Sequence, residues 1–133
     1  MARKTRPRPT DAELAILRIL WDRGPSTVRE VHETLARTHR DSDQVGYTTV
    51  LKTMQIMTEK GLVLRDESQR AHVYSARQRE EDTQRRLVED LADRAFDGSA
   101  SQLVMRALSS RAATPEEIAT IRRILDEMSG DDR

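Results

Sequence analysis

Along the chain, apolar positions recur first at helical spacing, then briefly at strand spacing, then at helical spacing again. Leu14, Leu17 and Trp21, with Ile16 and Leu20 beside them, form the stripe of a first helix from about Asp11 to Arg23. Thr10 and Glu13 have the spacing of a capping box, and Gly24-Pro25 stops the helix. Thr27 and Glu30 repeat that capping spacing ahead of a narrower stripe, Val28, Val31 and Leu35, reaching about Thr38. A polar loop, His39 to Gly46, leads to a third helix over Tyr47–Lys60, closed by Gly61. At 100° per residue its Tyr47, Val50, Leu51, Met54 and Met57 fall on one side, which predicts a buried face.

After Gly61 the period changes. Leu62–Arg65 and Ala71–Tyr74 read as two short strands joined by a polar turn, Asp66–Arg70. From Gln78 the pattern is helical once more. Leu87, Leu91 and Ala95, flanked by Val88, Ala92 and Phe96, make a stripe ending at Gly98. Ser99 caps a helix bearing Leu103, Val104, Ala107 and Leu108. Thr114-Pro115-Glu116-Glu117 opens a last one, with Ile118, Ile121, Ile124, Leu125 and Met128 on its stripe.

Three short helices followed by a hairpin predict a winged helix-turn-helix domain over residues 10–77. Residues 1–9 read as a flexible basic arm, and residues 78–133 as a helical dimerisation domain. The fold class is therefore mainly α with a small β-hairpin. The three tail helices share about a dozen large apolar side chains, a thin core for a free-standing unit. A second copy would supply the missing surface, so Leu87, Leu91, Phe96, Leu103, Val104, Leu108, Ile118, Ile121, Ile124 and Leu125 are the expected dimer contacts. The alternative is that these helices fold back on the winged unit.

The outer face of the third helix gathers Thr48, Thr49, Lys52, Ile56 and Lys60, with Thr53 on its flank and Glu59 as its one acid. Such a face suits the major groove, where Lys reaches phosphates or guanine edges and Thr or Ile methyls meet thymine methyls. An ordinary solvated helix face has the same look when taken alone. Arg65 and Arg70, near the tip of the hairpin, are candidates for phosphate contact, although Asp66 and Glu67 oppose close approach.

Charge sharpens this division. The 133-residue chain has 23 basic and 23 acidic residues, yet its halves differ. Residues 1–77 hold 14 Lys+Arg against 10 Asp+Glu, and residues 78–133 hold 9 against 13. A basic front and an acidic rear fit a front that meets nucleic acid and a rear that meets protein. The arm adds salt-dependent affinity if it lies along phosphates; an inert tail has the same composition.

Other chemistry finds little support. With no cysteine there is no disulfide framework or thiolate metal site. His32, His39 and His72 fall in a helix, a loop and a strand, without metal-type spacing, and no glycine-rich phosphate loop exists. Catalytic residues, metal sites and cofactors are therefore expected to be none. No apolar run approaches a membrane span and the basic start lacks an apolar region behind it, so a cytoplasmic protein without direct membrane association is expected.

The ordered set Thr10-Asp11-Ala12-Glu13-Leu14, Ile19-Leu20-Trp21, Val28-Arg29-Glu30-Val31, Tyr47-Thr48-Thr49-Val50-Leu51, Lys60-Gly61-Leu62-Val63 and Arg70-Ala71-His72-Val73-Tyr74 resembles the BlaI/MecI family of bacterial penicillinase-type repressors. The tail from Gly98 to Met128 extends the likeness. The resemblance implies a homodimer on a palindromic, double-stranded operator, blocking transcription until inactivated. In many members release is by cleavage within the tail by a membrane sensor metalloprotease. The family's best-known cut falls between Asn and Phe, whereas the corresponding position here is Arg106-Ala107, so the scissile site is not carried over. A copper-responsive branch uses terminal cysteines, which this chain lacks. The rival class is a winged-helix protein-protein interaction module that does not bind DNA.

Overall fold

The computed structural model describes residues 8–38 and 45–130. Most of the basic arm, and the loop at residues 39–44 with His39 among them, lie outside the described residues. The chain forms two compact units, one up to Leu87 and one from Val88 onward.

In the first unit, α1 (Asp11–Arg23) starts with the expected capping box. The Glu13 N–H donates to Thr10 Oγ1 at 3.1 Å, and the Thr10 N–H donates to Glu13 Oε1 at 2.9 Å. Gly24 ends the helix at φ +94°, a conformation open to a residue without Cβ, and its N–H returns to the Leu20 carbonyl. Next comes β1 (Ser26–Thr27), a strand that the sequence pattern did not predict. Two residues are too few to show alternation, and this strand exists only through its partner. α2 (Val28–Thr38) follows, with Thr27 and Glu30 bonded reciprocally at 3.2 and 2.9 Å.

α3 (Tyr47–Lys60) ends in a Schellman closure: the N–H of Gly61 bonds to the Thr58 carbonyl and that of Leu62 to the Met57 carbonyl. This closure shifts the hairpin. The Leu62 N–H is taken by the helix, so β2 starts at Val63 and runs to Asp66, and β3 runs Val73–Ala76, where it pairs with both β2 and β1; each lies later than the predicted runs. The sheet is antiparallel in the order β1-β3-β2, with Ser26 opposite Tyr74 and Arg65 opposite the same residue.

One core joins these pieces: Ile16, Leu17, Ile19 and Leu20 from α1, Val28 and Val31 from α2, Val50, Met54 and Met57 from α3, and Val63 and Tyr74 from the sheet. Burying each large side chain contributes about 1.5–3 kcal/mol. The Trp21 indole N–H donates to the Gln78 carbonyl at 2.9 Å, tying the end of α1 to the segment after the hairpin.

The second unit is built differently. α4 (Glu80–Ala95) runs into it, and α5 (Ala100–Ser110) and α6 (Pro115–Met128) follow, starting at the predicted caps Ser99 and Thr114. No residue of α5 or α6 is buried. Leu91, Val104, Leu108, Ile118, Ile124 and Leu125 are exposed, while Leu87, Phe96, Leu103 and Ile121 are half-covered. No described helix is long and apolar enough to cross a membrane.

Candidate nucleic-acid interface

The inner stripe of α3, Val50, Met54 and Met57, is sealed in the core. That orients the helix and turns Thr48, Thr49, Lys52 and Ile56 to solvent. Thr53 is half-buried and its hydroxyl donates to the Thr49 carbonyl at 2.8 Å, which leaves its oxygen as an acceptor. Among the described residues no carboxylate pairs with Lys52.

Two expectations for this helix need correction. Tyr47, placed by the pattern on the buried stripe, is 46% exposed. It sits one turn beyond Val50, where the core has ended, and meets the His32 ring edge-on with centroids 5.8 Å apart. Lys60, placed on the open cationic face, is instead paired with Glu13, its Nζ 2.8 Å from Oε2 and 3.0 Å from Oε1. Three residues past Met57, it stands on the flank of the buried stripe and reaches inward.

The start of α3 has an unusual electrostatic profile. α1, α2, α4 and α6 each place acids in the first turn, where carboxylates offset the positive end of the helix dipole, and α5, which has none, is capped by the Ser99 side chain. α3 has none, and its N-cap, Gly46, offers no side-chain acceptor. Among the described residues no side chain caps its leading N–H groups, so their partial positive charge can meet an external anion.

In the wing, Arg65 is a paired cation. Its Nε lies 2.7 Å from Glu67 Oε2, and hydrogen bonding to Tyr74, together with the Glu67 charge, pushes its pKa further above the usual guanidinium value. The expected phosphate grip by Arg65 thus competes with an internal partner. Asp66 is also engaged, accepting the Ser68 N–H at 2.9 Å, which lowers its pKa below the usual carboxylate value. Arg70 is exposed and lines an open groove of about 400 Å³ together with Thr27, Arg29, Tyr47 and His72.

Arg29 and Tyr47 on that groove were not singled out as interface residues in the sequence. A signal for Arg29 was present: a cation in the first turn of a helix is opposed by the dipole, so local helix energetics do not account for it. The groove gathers Arg29, Arg70 and His72 beside the first turn of α3. The arrangement can receive a polyanion along the groove while the helix presents threonine hydroxyls, a lysine and an isoleucine to whatever lies against it.

A family model described as Penicillinase repressor matches residues 9–127. Among curated relatives, the Transcriptional regulator BlaI of Mycobacterium tuberculosis is 35% identical over 119 residues, covering 89% of this chain and 83% of that one. The Penicillinase repressor of Bacillus licheniformis is 25% identical over 121 residues, 91% of each chain. A solution structure of the DNA binding domain of the repressor BlaI aligns with a TM-score of 0.49 at 24% identity, over 60% of this chain and 93% of that one. The monomeric form of Bacillus licheniformis BlaI in complex with the blaP half-operator gives a TM-score of 0.48 at the same identity and coverage.

Proposed function

The chain belongs to the penicillinase repressor family, and from that premise we propose that it silences transcription as a homodimer seated on a palindromic operator. The family is one of transcriptional repressors, not of enzymes. The observation that carries the reading is the outward face of α3, with threonines, a lysine and no acid in its first turn. Thr48, Thr49 and Lys52 contact base edges or the adjoining phosphates, with Thr53 and Ile56 behind them. Arg70 contacts backbone across the groove, Arg29 assists it, and Arg65 joins only by exchanging Glu67 for phosphate.

The exposed stripes of α4, α5 and α6 support the dimer. Leu91, Val104, Leu108, Ile118, Ile124 and Leu125 would leave water on pairing, joined by Leu87, Phe96, Leu103 and Ile121 at the margins. A two-fold protein then sets two half-sites about 10 base pairs, or a multiple, apart. A repressor acts where the chromosome is, so its place is the cytoplasm. Relief through a membrane sensor metalloprotease is the finest part of the proposal, and a shortened chain appearing on induction is its signature.

A gel shift with duplex DNA from upstream of its own gene tests the core of this reading. A retained, salt-sensitive band is expected. Its absence at physiological salt would favour a winged-helix module that binds protein alone.

A further inference from the structure

Glu13 and Lys60 lie far apart in sequence and side by side in the fold. The Glu13 side chain is 4% exposed and that of Lys60 is 27% exposed. Both carboxylate oxygens accept from Lys60 Nζ, and Oε1 also accepts the Thr10 N–H. A single carboxylate therefore closes the first turn of α1 and anchors the last turn of α3. Left alone there, an ionised carboxylate would be strongly disfavoured and would turn toward water.

On the DNA-binding reading above, we propose that Lys60 is a positioning residue for recognition: it neutralises Glu13, fixes the angle of α3 on α1, and touches no DNA. The leverage is geometric. α3 has 14 residues, with the pair at its C-terminal end and Thr48 and Thr49 at the other. A helix of that length spans about 20 Å, so a tilt of about 3° at the anchor displaces the reading end by about 1 Å. Hydrogen bonds to base edges tolerate a few tenths of an ångström, about a third of that displacement. The anchor also fixes Thr10, the point from which the basic arm departs.

The test compares wild type, Lys60→Met, Lys60→Arg and the double variant Glu13→Gln/Lys60→Met, the glutamine keeping an acceptor for Thr10. Each is titrated onto a fluorescent duplex from upstream of its own gene across a salt series, well below its melting temperature. Lys60→Met should weaken binding about tenfold while leaving the salt slope at its wild-type value, since no phosphate contact is lost. Lys60→Arg should retain most of the affinity. The double variant should return to within about threefold of wild type, because removing both charges leaves nothing uncompensated.

Folded Lys60→Met with wild-type affinity would overturn the proposal, reducing the pair to a stability device. A slope lowered by about one in both Lys60→Met and the double variant would overturn it too, placing Lys60 on a phosphate. If Lys60→Met does not fold, Glu13→Gln takes its place, since it releases Lys60 from its anchor and keeps an acceptor for Thr10: weakened binding at the wild-type salt slope supports the proposal, and wild-type affinity overturns it. Wild type failing to bind would instead remove the DNA-binding reading, and this inference with it, before any variant is compared.

Discussion

Met54 and Met57 on α3 are shut away from solvent, whereas Met105 on α5 and Met128 on α6 keep 62% and 77% of their surface exposed. The same contrast holds across the two units. The front one joins three helices and a three-stranded sheet around eleven buried apolar residues, and the rear one leaves α5 and α6 with none. The apolar stripes are equally regular in both, so periodicity alone does not say what covers a stripe. The front unit can cover its own. Among the described residues the rear helices carry stripes with the chemistry of a core that stay largely exposed, a condition that pairing of two copies would relieve.

Truncating a residue of the front core should have the largest effect. Met54→Ala should destabilise the first unit by about 2–5 kcal/mol, read by denaturant unfolding, because its site is fully enclosed. A loss below about 0.5 kcal/mol, the usual range for surface substitutions, would erase the contrast with the rear helices.

Leu125→Asp comes next. At 54% exposed in the single chain it should leave the first unit's unfolding unchanged, yet raise the dimer dissociation constant about 100-fold, as loss of a central interface contact does. Sedimentation equilibrium reads this, and a wild-type dissociation constant would break the proposed role of the rear stripe. Lys52→Ala should act on the front alone. It should weaken operator binding about tenfold and lower the salt slope by about one, with dimerisation intact.

The smallest effect concerns the wing. Because the Ser68 hydrogen bonds depress the Asp66 pKa, their contribution is present above the ordinary carboxylate value of 3.8 and is lost as pH falls through the lower folded value. The Ser68 amide resonance should therefore titrate below pH 3.8, and a midpoint above it would contradict the bond.

What the sequence made legible was local. The reciprocal caps at Thr10 with Glu13, Thr27 with Glu30 and Thr114 with Glu117 were readable because donor and acceptor are three residues apart. The core side of α3 was readable from Val50, Met54 and Met57 for the same reason. The features missed depend on residues distant in the chain. β1 is defined by Tyr74 and Val73, nearly fifty positions away. Lys60 belongs to Glu13, which no helical wheel of α3 contains. Tyr47 follows the buried period but outruns the core, whose edge is set by how α1, α2 and the sheet meet. The exposed α3 face was legible as a type of surface, while Arg29 and the groove it shares with Arg70 required the fold.

The most direct test is sedimentation of a labelled duplex from upstream of the gene, titrated with the full chain at physiological salt. One shifted species carrying two 15.2 kDa protomers per operator is expected. A complex saturating with a single protomer, or a duplex that sediments unchanged, would contradict a dimer that reads DNA through α3.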